Sequence, residues 1–213
     1  MKVKCYSFFQ LIFLFIGLLL STNSFSQNYA IVGTGTTTNT SGSLPTPYGS
    51  LNWGTRSQFL LRPLDLTGAG LAAGSVISSF GFNVSSTNGS APLTGWTMKV
   101  YLVNNSGGNP LGSNWVSSRL VSYSIPTTLT LTTGWNQTNL AFPVIWNGTD
   151  SIVLETCFNN ATSLTAAASV YRVTSIPSGS GLTYTRQLKN NNSAVCSDNT
   201  VTGNSVYTST SIR

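Results

Sequence analysis

Along most of the chain, apolar residues recur at every second position. Phe80, Phe82 and Val84 alternate with Ser79, Gly81 and Asn83, and Trp96, Met98, Val100 and Leu102 alternate with Thr97, Lys99 and Tyr101. Leu129 and Leu131 alternate with threonines. Ile152, Leu154, Thr156 and Phe158 fall on one side of a run whose other side carries Val153, Glu155 and Cys157. Segments 170–173 and 182–188 continue the habit. Successive side chains of a strand point to opposite faces, so this period predicts strands. Turn formers separate the runs: Thr87-Asn88-Gly89, residues 105–110, Ile125-Pro126, Asn147-Gly148 and residues 177–181. The one helical hint, 65–73, contains Gly68 and Gly70 and allows a turn or two. About ten short strands joined by polar loops predict an all-β fold, an antiparallel two-sheet β-sandwich of jelly-roll type. A closed barrel is the alternative. An outer-membrane barrel fits less well, because its strands alternate over about ten residues between aromatic girdles.

The N-terminus has a different pattern. Lys2 and Lys4 precede an apolar run from Phe8 to Leu20 in which Gln10 is the one polar residue, and Ser24-Phe25-Ser26 places small residues at the −3 and −1 positions of a cleavage site. These are the three parts of a secretory signal, so residues 1–26 are expected to leave on export. The run is 13 residues long, whereas a membrane span needs roughly 20. No membrane span is expected in the mature chain. Residues 27–50 then read as an N-terminal strand with a Thr/Gly/Ser/Pro-rich lead-in loop, and 51–213 as the sandwich domain.

Charge is scarce: of 213 residues, ten are Lys or Arg, four are Asp or Glu, and none is His. His-based catalysis and His-ligated metals are excluded. Removing Lys2 and Lys4 takes the formal charge from +6 to +4. The remaining bases are scattered without a cluster, so nucleic acid is not an expected partner. Removing Cys5 with the signal leaves Cys157 and Cys196. In an oxidising compartment such a pair reads as a disulfide, with two buried free thiols as the alternative.

Four stretches together resemble a known kind of module: 33–38 leading to Pro47-Tyr48-Gly49; Trp53-Gly54-Thr55-Arg56-Ser57-Gln58-Phe59-Leu60; 64–71 with Gly74; and Gly134-Trp135-Asn136 followed by 146–149 and 155–160. The set is similar to a β-sandwich module near the N-termini of large secreted proteins of Bacteroidetes, many exported by the type IX route. The resemblance implies a location at or outside the cell surface and an architecture, and carries no catalytic residues. Proteins of that kind continue into further domains and a sorting domain. Here the chain stops at Ile212-Arg213 inside what reads as a strand, so the expectation is a domain truncated there or a protein without the sorting domain.

The candidate sites are few. The acids are Asp65, Asp150, Glu155 and Asp198. Glycoside hydrolysis needs two carboxylates facing one bond, whereas Asp150 and Glu155 are five apart on one strand and so point to opposite faces. Cys157 has no His to activate it. A hydrolase therefore ranks last, and neither a metal site nor a cofactor is expected. Among the five tryptophans, Trp96 shares the core face, and Trp135 and Trp146 read as core or edge packing. Trp53 and Trp115, with Tyr48, lie in loops and are the candidates for a ligand-binding platform stacking on a sugar ring. Eight Asn-x-Ser/Thr sequons are present, at Asn39, Asn83, Asn88, Asn104, Asn136, Asn147, Asn160 and Asn191, and Asp150-Ser151-Ile152 resembles the O-glycosylation triplet of the same bacterial group. The expected function is a non-catalytic structural or adhesive module of a secreted protein. A glycan-binding module is the alternative. The expected partners are a neutral glycan or other surface protein domains.

Overall fold

The computed structural model describes residues 29–33, 35–39, 46–48, 51–104, 110–111, 115–173, 184–191, 195–198, 204–205 and 209–210. The expected signal, residues 1–26, lies outside the described residues. The strands are β1 (Thr37–Asn39), β2 (Gly54–Leu61), β3 (Val76–Ser86), β4 (Leu93–Val103), β5 (Leu120–Tyr123), β6 (Thr127–Leu129), β7 (Gly134–Ile145), β8 (Ser151–Asn159), β9 (Ser169–Val173), β10 (Thr185–Asn190), β11 (Asn204–Ser205) and β12 (Ser209–Thr210), with one helix, α1 (Pro63–Gly68).

The strands form two antiparallel sheets. The first has the order β1-β9-β3-β7, with β12 also on β9; the second has the order β11-β10-β2-β8-β4-β5, with β6 also on β4. Counting only β1 to β5 and β7 to β9, in chain order as 1 to 8, the sheets read 1-8-3-6 and 2-7-4-5. That is the double Greek key of a jelly roll. β10 and β11 widen the second sheet beyond β2. β5 and β6 lie end to end along β4, at Lys99–Tyr101 and at Leu93–Trp96. The break between them falls at Ile125-Pro126, since proline has no N–H to offer a ladder.

The predicted alternation builds the core. Phe80, Phe82 and Val84 of β3 face Trp96, Met98 and Val100 of β4 and Leu154 and Phe158 of β8, all buried between the sheets. Each such side chain contributes about 1.5–3 kcal/mol by leaving water. The 87–90 connection is a type I′ turn: Ser90 N donates to Thr87 O at 2.9 Å, and Asn88 and Gly89 hold φ of 52° and 70°. α1 begins on an extended Arg62 with Pro63 in its first turn. The Asp65 carboxylate accepts from Arg62 N at 2.9 Å and pairs with its guanidinium. The helix ends at Gly68 with Ala69 as its C-cap, Gly70 follows with a φ of 91° that suits glycine, and buried Leu66 docks the helix on the core.

β7 is an edge strand and is interrupted. Its register against β3 jumps from Ile77↔Val144 to Ser79↔Asn139, so residues 140–143 bulge out of the ladder. The bulge brings Phe142 to β5, where its ring meets Tyr123 edge-on at 6.0 Å and its carbonyl accepts from Ser122 Oγ. A bulge and Pro143 on an otherwise uncharged edge discourage strand addition by another chain.

Candidate functional site

The second sheet departs from ordinary sandwich patterning. Every residue of β2, and all of β8 but Asn159, is buried, so these strands are covered on both faces. One face meets the core through Phe59, Leu61, Ile152 and Leu154. Over the other lies a third layer formed by Leu111, Trp115 and Val116 and by Val195 and Cys196.

Beneath that layer runs a polar row set by register. Arg186 pairs with Gln58, Gln58 with Glu155, Glu155 with Lys99, and Lys99 with Tyr123. Glu155 is the hub. Its Oε2 accepts from Arg56 Nη2 at 2.7 Å, Arg56 Nε at 3.0 Å and Gln58 Nε2 at 2.7 Å, while Lys99 Nζ stands 3.3 Å from Oε1. Gln58 also clamps Val116, donating to its carbonyl at 2.7 Å and accepting from its N–H at 3.0 Å. Arg186 Nη2 donates to Leu111 O at 2.5 Å, and Arg56 Nη1 to Asp198 O at 2.8 Å. The covering layer is thus fastened to the sheet by hydrogen bonds from buried side chains. Burial lowers the Arg186 pKa from its ordinary value. It raises that of Tyr101, with the Glu155 charge adding to the effect.

Trp115 plugs this layer. The Arg56 guanidinium carbon lies 4.4 Å from its ring centroid and that of Arg186 5.8 Å away. The Cys157–Cys196 disulfide anchors the second covering segment to β8, with Cα atoms 5.7 Å apart and a sequence separation of 39. Gly54 leaves room for it: a Cβ there would meet Phe158 O at 2.7 Å and collide with Val195. Of the two readings of the cysteine pair, the bonded one is the structure.

The three proposed platform rings do not come together. Tyr48 is fully buried in the core, its ring 5.7 Å from Phe82 and 5.1 Å from Trp96, and its hydroxyl donates to Asn136 O at 3.1 Å. Trp115 is 7% exposed. Neither ring is free to stack on a sugar. Both sit in connecting segments, but those segments fold back over the sheet faces, so loop position did not mean exposure. Trp53 is half-buried, with its backbone N–H donating to Asn191 Oδ1 at 3.1 Å. Ser151 of the modification triplet is fully buried and inaccessible in the folded domain. Several sequon asparagines brace turns with their side chains. Asn136 Nδ2 donates to Thr132 O, Asn147 Oδ1 accepts from Asp150 N, and Asn160 links Thr94 N to Pro92 O.

The acids are dispersed as well. Asp65 pairs with Arg62, Asp150 with Arg119, and Glu155 with Arg56 and Lys99. Among the described residues, no group of three or more His, Cys, Asp or Glu could hold a metal, and no helix is long and apolar enough to cross a membrane.

One cavity, of about 330 Å³, opens on the other side of the molecule between residues 29–32, α1, the start of β3 and β7. Leu66, Leu71 and Ile77 supply apolar lining and Ser75, Ser79 and Gln137 polar lining. Comparison with known protein families, curated proteins and solved structures found no match for the chain.

Proposed function

We propose that the chain is a non-catalytic, extracellular structural or adhesive module, one rigid block of a secreted or cell-surface protein of the kind its motifs resemble. The observation that carries this reading is the sealed second sheet. A disulfide, a buried Arg–Glu–Gln network and a Trp plug spend the most chemically capable side chains on fastening a covering layer. Asp65, Asp150 and Glu155 are each tied to a different arginine, a poor arrangement for paired acid–base work. The disulfide suits an oxidising compartment, and the signal-like N-terminus supplies the route to it.

The test uses the full chain, residues 1–213, expressed with export. N-terminal sequencing is expected to find cleavage after Ser26. The oxidised protein is expected to turn over none of a panel of glycoside, ester and peptide substrates, and cells displaying it are expected to attach to surfaces more than cells displaying an unrelated sandwich. Turnover that survives repurification and is lost on Glu155→Gln overturns the reading, as does display without any gain in attachment.

A further inference from the structure

We propose that the cavity beside α1 is a binding site for a single neutral sugar residue. This goes beyond the structural reading above and does not depend on it. At about 330 Å³, the space lies at the small end of ligand pockets, which run from roughly 300 to 1,000 Å³. It is walled by strands and a docked helix, a rigid frame for a ligand.

The lining chooses the chemistry. Among the described residues, no Lys, Arg, Asp or Glu borders the cavity, so a phosphate, a carboxylate or an ammonium group would enter without a counter-charge and lose its hydration. A wholly apolar ligand fits poorly too, because Ser75 just before β3, Ser78 and Ser79 of β3 and Gln137 of β7 contribute to the lining. Ser79 and Gln137 are hydrogen-bonded to each other, so their donors and acceptors are already oriented. Val32, Leu66 and Leu71 give the opposite character. A pyranose ring is amphipathic in the same sense, with a C–H face for aliphatic and aromatic contact and hydroxyls that both donate and accept. Tyr29 lines the cavity and is 47% exposed. Its ring can cover a sugar face. Residues 29–32 line the site with Tyr29, Ala30 and Val32 and follow closely on the expected cleavage position, so the mature N-terminus would form part of the binding wall.

The site differs from the one the loop aromatics suggested. It uses neither Tyr48 nor Trp115, and an array of glycans probed with Trp115→Ala would miss it. One small ring in an uncharged pocket is expected to bind with a dissociation constant on the order of 1 mM, and binding is expected to be insensitive to salt.

The experiment is backbone-amide NMR of the oxidised 27–213 protein, titrated with methyl glucoside, methyl galactoside, methyl mannoside and N-acetylglucosamine, and separately with the neutral apolar probe N-phenyl-1-naphthylamine. At least one sugar is expected to shift, in a saturable way, resonances of 29–32, 75–79 and 137. Tyr29→Ala is expected to weaken that binding about tenfold, and Ser78→Trp to abolish it by filling the cavity. Both variants are checked for a native spectrum. If Ser78→Trp misfolds, wild-type mapping and Tyr29→Ala still decide. Absence of sugar-induced shifts at these residues up to about 100 mM, a hundred times the expected constant, overturns the proposal. So does a response confined to the apolar probe, or sugar shifts that map elsewhere. None of those outcomes touches the attachment test of the structural reading.

Discussion

Arg56 and Glu155 form an ion pair 2.7 Å long across neighbouring strands with their side chains 4% and 1% exposed. Taking both charges out of water is costly, and the pair is tolerable because Gln58 and Lys99 complete the carboxylate's partners. Removing one member strands the other. Glu155→Ala is expected to destabilise the domain by about 3–5 kcal/mol, read as a shift of the urea midpoint at constant slope. Lys99→Ala, at the wet end of the row, is expected to cost about 1 kcal/mol or less. The double variant Arg56→Met/Glu155→Leu is expected to cost less than the sum of its parts, since it removes both charges together. A Glu155→Ala protein as stable as the parent would mean that the network does not hold the covering layer.

Trp115 and Trp53 are expected to separate clearly on truncation. Trp115 fills space between Arg56, Arg186, Leu188 and Val195, so Trp115→Ala leaves a cavity and exposes two buried guanidinium groups. The expected loss is about 3–5 kcal/mol. Trp53 is half-buried at the start of β2, and Trp53→Ala is expected to cost less than half as much. Chemical denaturation of the two variants side by side checks this. A Trp115→Ala domain of native stability that had lost affinity for a glycan would restore the exposed-platform reading.

How much of this was legible in the sequence depended on which face of a strand carried the information. β3, β4 and β8 were plain, because period-two alternation survives wherever one side meets the core. β2 was not. Arg56, Ser57 and Gln58 in a row resemble a surface segment, yet the strand is central and buried on both sides. Its polar residues are satisfied by Glu155, Val116 and Gln187 on other segments, and no local pattern reports a partner about a hundred residues away. Trp115 and Tyr48 were misplaced for a related reason. A connecting segment that folds back to seal a sheet has the composition of an exposed loop. The disulfide was readable by arithmetic alone, since the expected loss of Cys5 with the signal leaves one pair. The cavity was not readable at all, because its lining comes from four separate segments.

The Cys157–Cys196 bond closes a loop of about 40 residues, which in the chain-entropy model stabilises by roughly 4 kcal/mol. The effect is expected to be local as well as global. Cys196 belongs to the covering segment that packs with Trp115 and Leu188. Reduction of the native protein is therefore expected to raise amide exchange in 195–198 and 115–116 first, before the core strands β3 and β4 respond. Thiol titration of unfolded, non-reduced mature protein is expected to find no free thiol. Equal exchange throughout the molecule after reduction would show that the bond constrains the whole chain and not the layer.

Alkaline pH provides a test of the buried tyrosines. Burial raises the pKa of Tyr48 well above its ordinary value near 10.0, partly offset by a hydrogen bond with the Phe82 backbone, and Tyr101 is raised in the same direction. In the unfolded chain both phenols ionise near pH 10. Above that pH the unfolded state binds fewer protons than the native one, so the slope of unfolding free energy against pH is negative. The stabilisation is present in full below about pH 10 and is lost as pH rises toward the folded-state values. Lys189 works in the opposite sense, because burial lowers its pKa and favours the folded state as its ammonium deprotonates. The clean readout is therefore a difference. Tyr48→Phe removes a buried hydrogen bond to Asn136 O and is expected to cost about 1 kcal/mol at pH 7, leaving its backbone and ring contacts in place. Between pH 10 and 11 the gap between variant and parent is expected to shrink, because the variant no longer has that phenol to ionise on unfolding. Urea midpoints of both proteins at pH 7, 9, 10 and 11 check this. A gap that stays constant through pH 11 would place the Tyr48 hydroxyl in contact with water and contradict its position in the core.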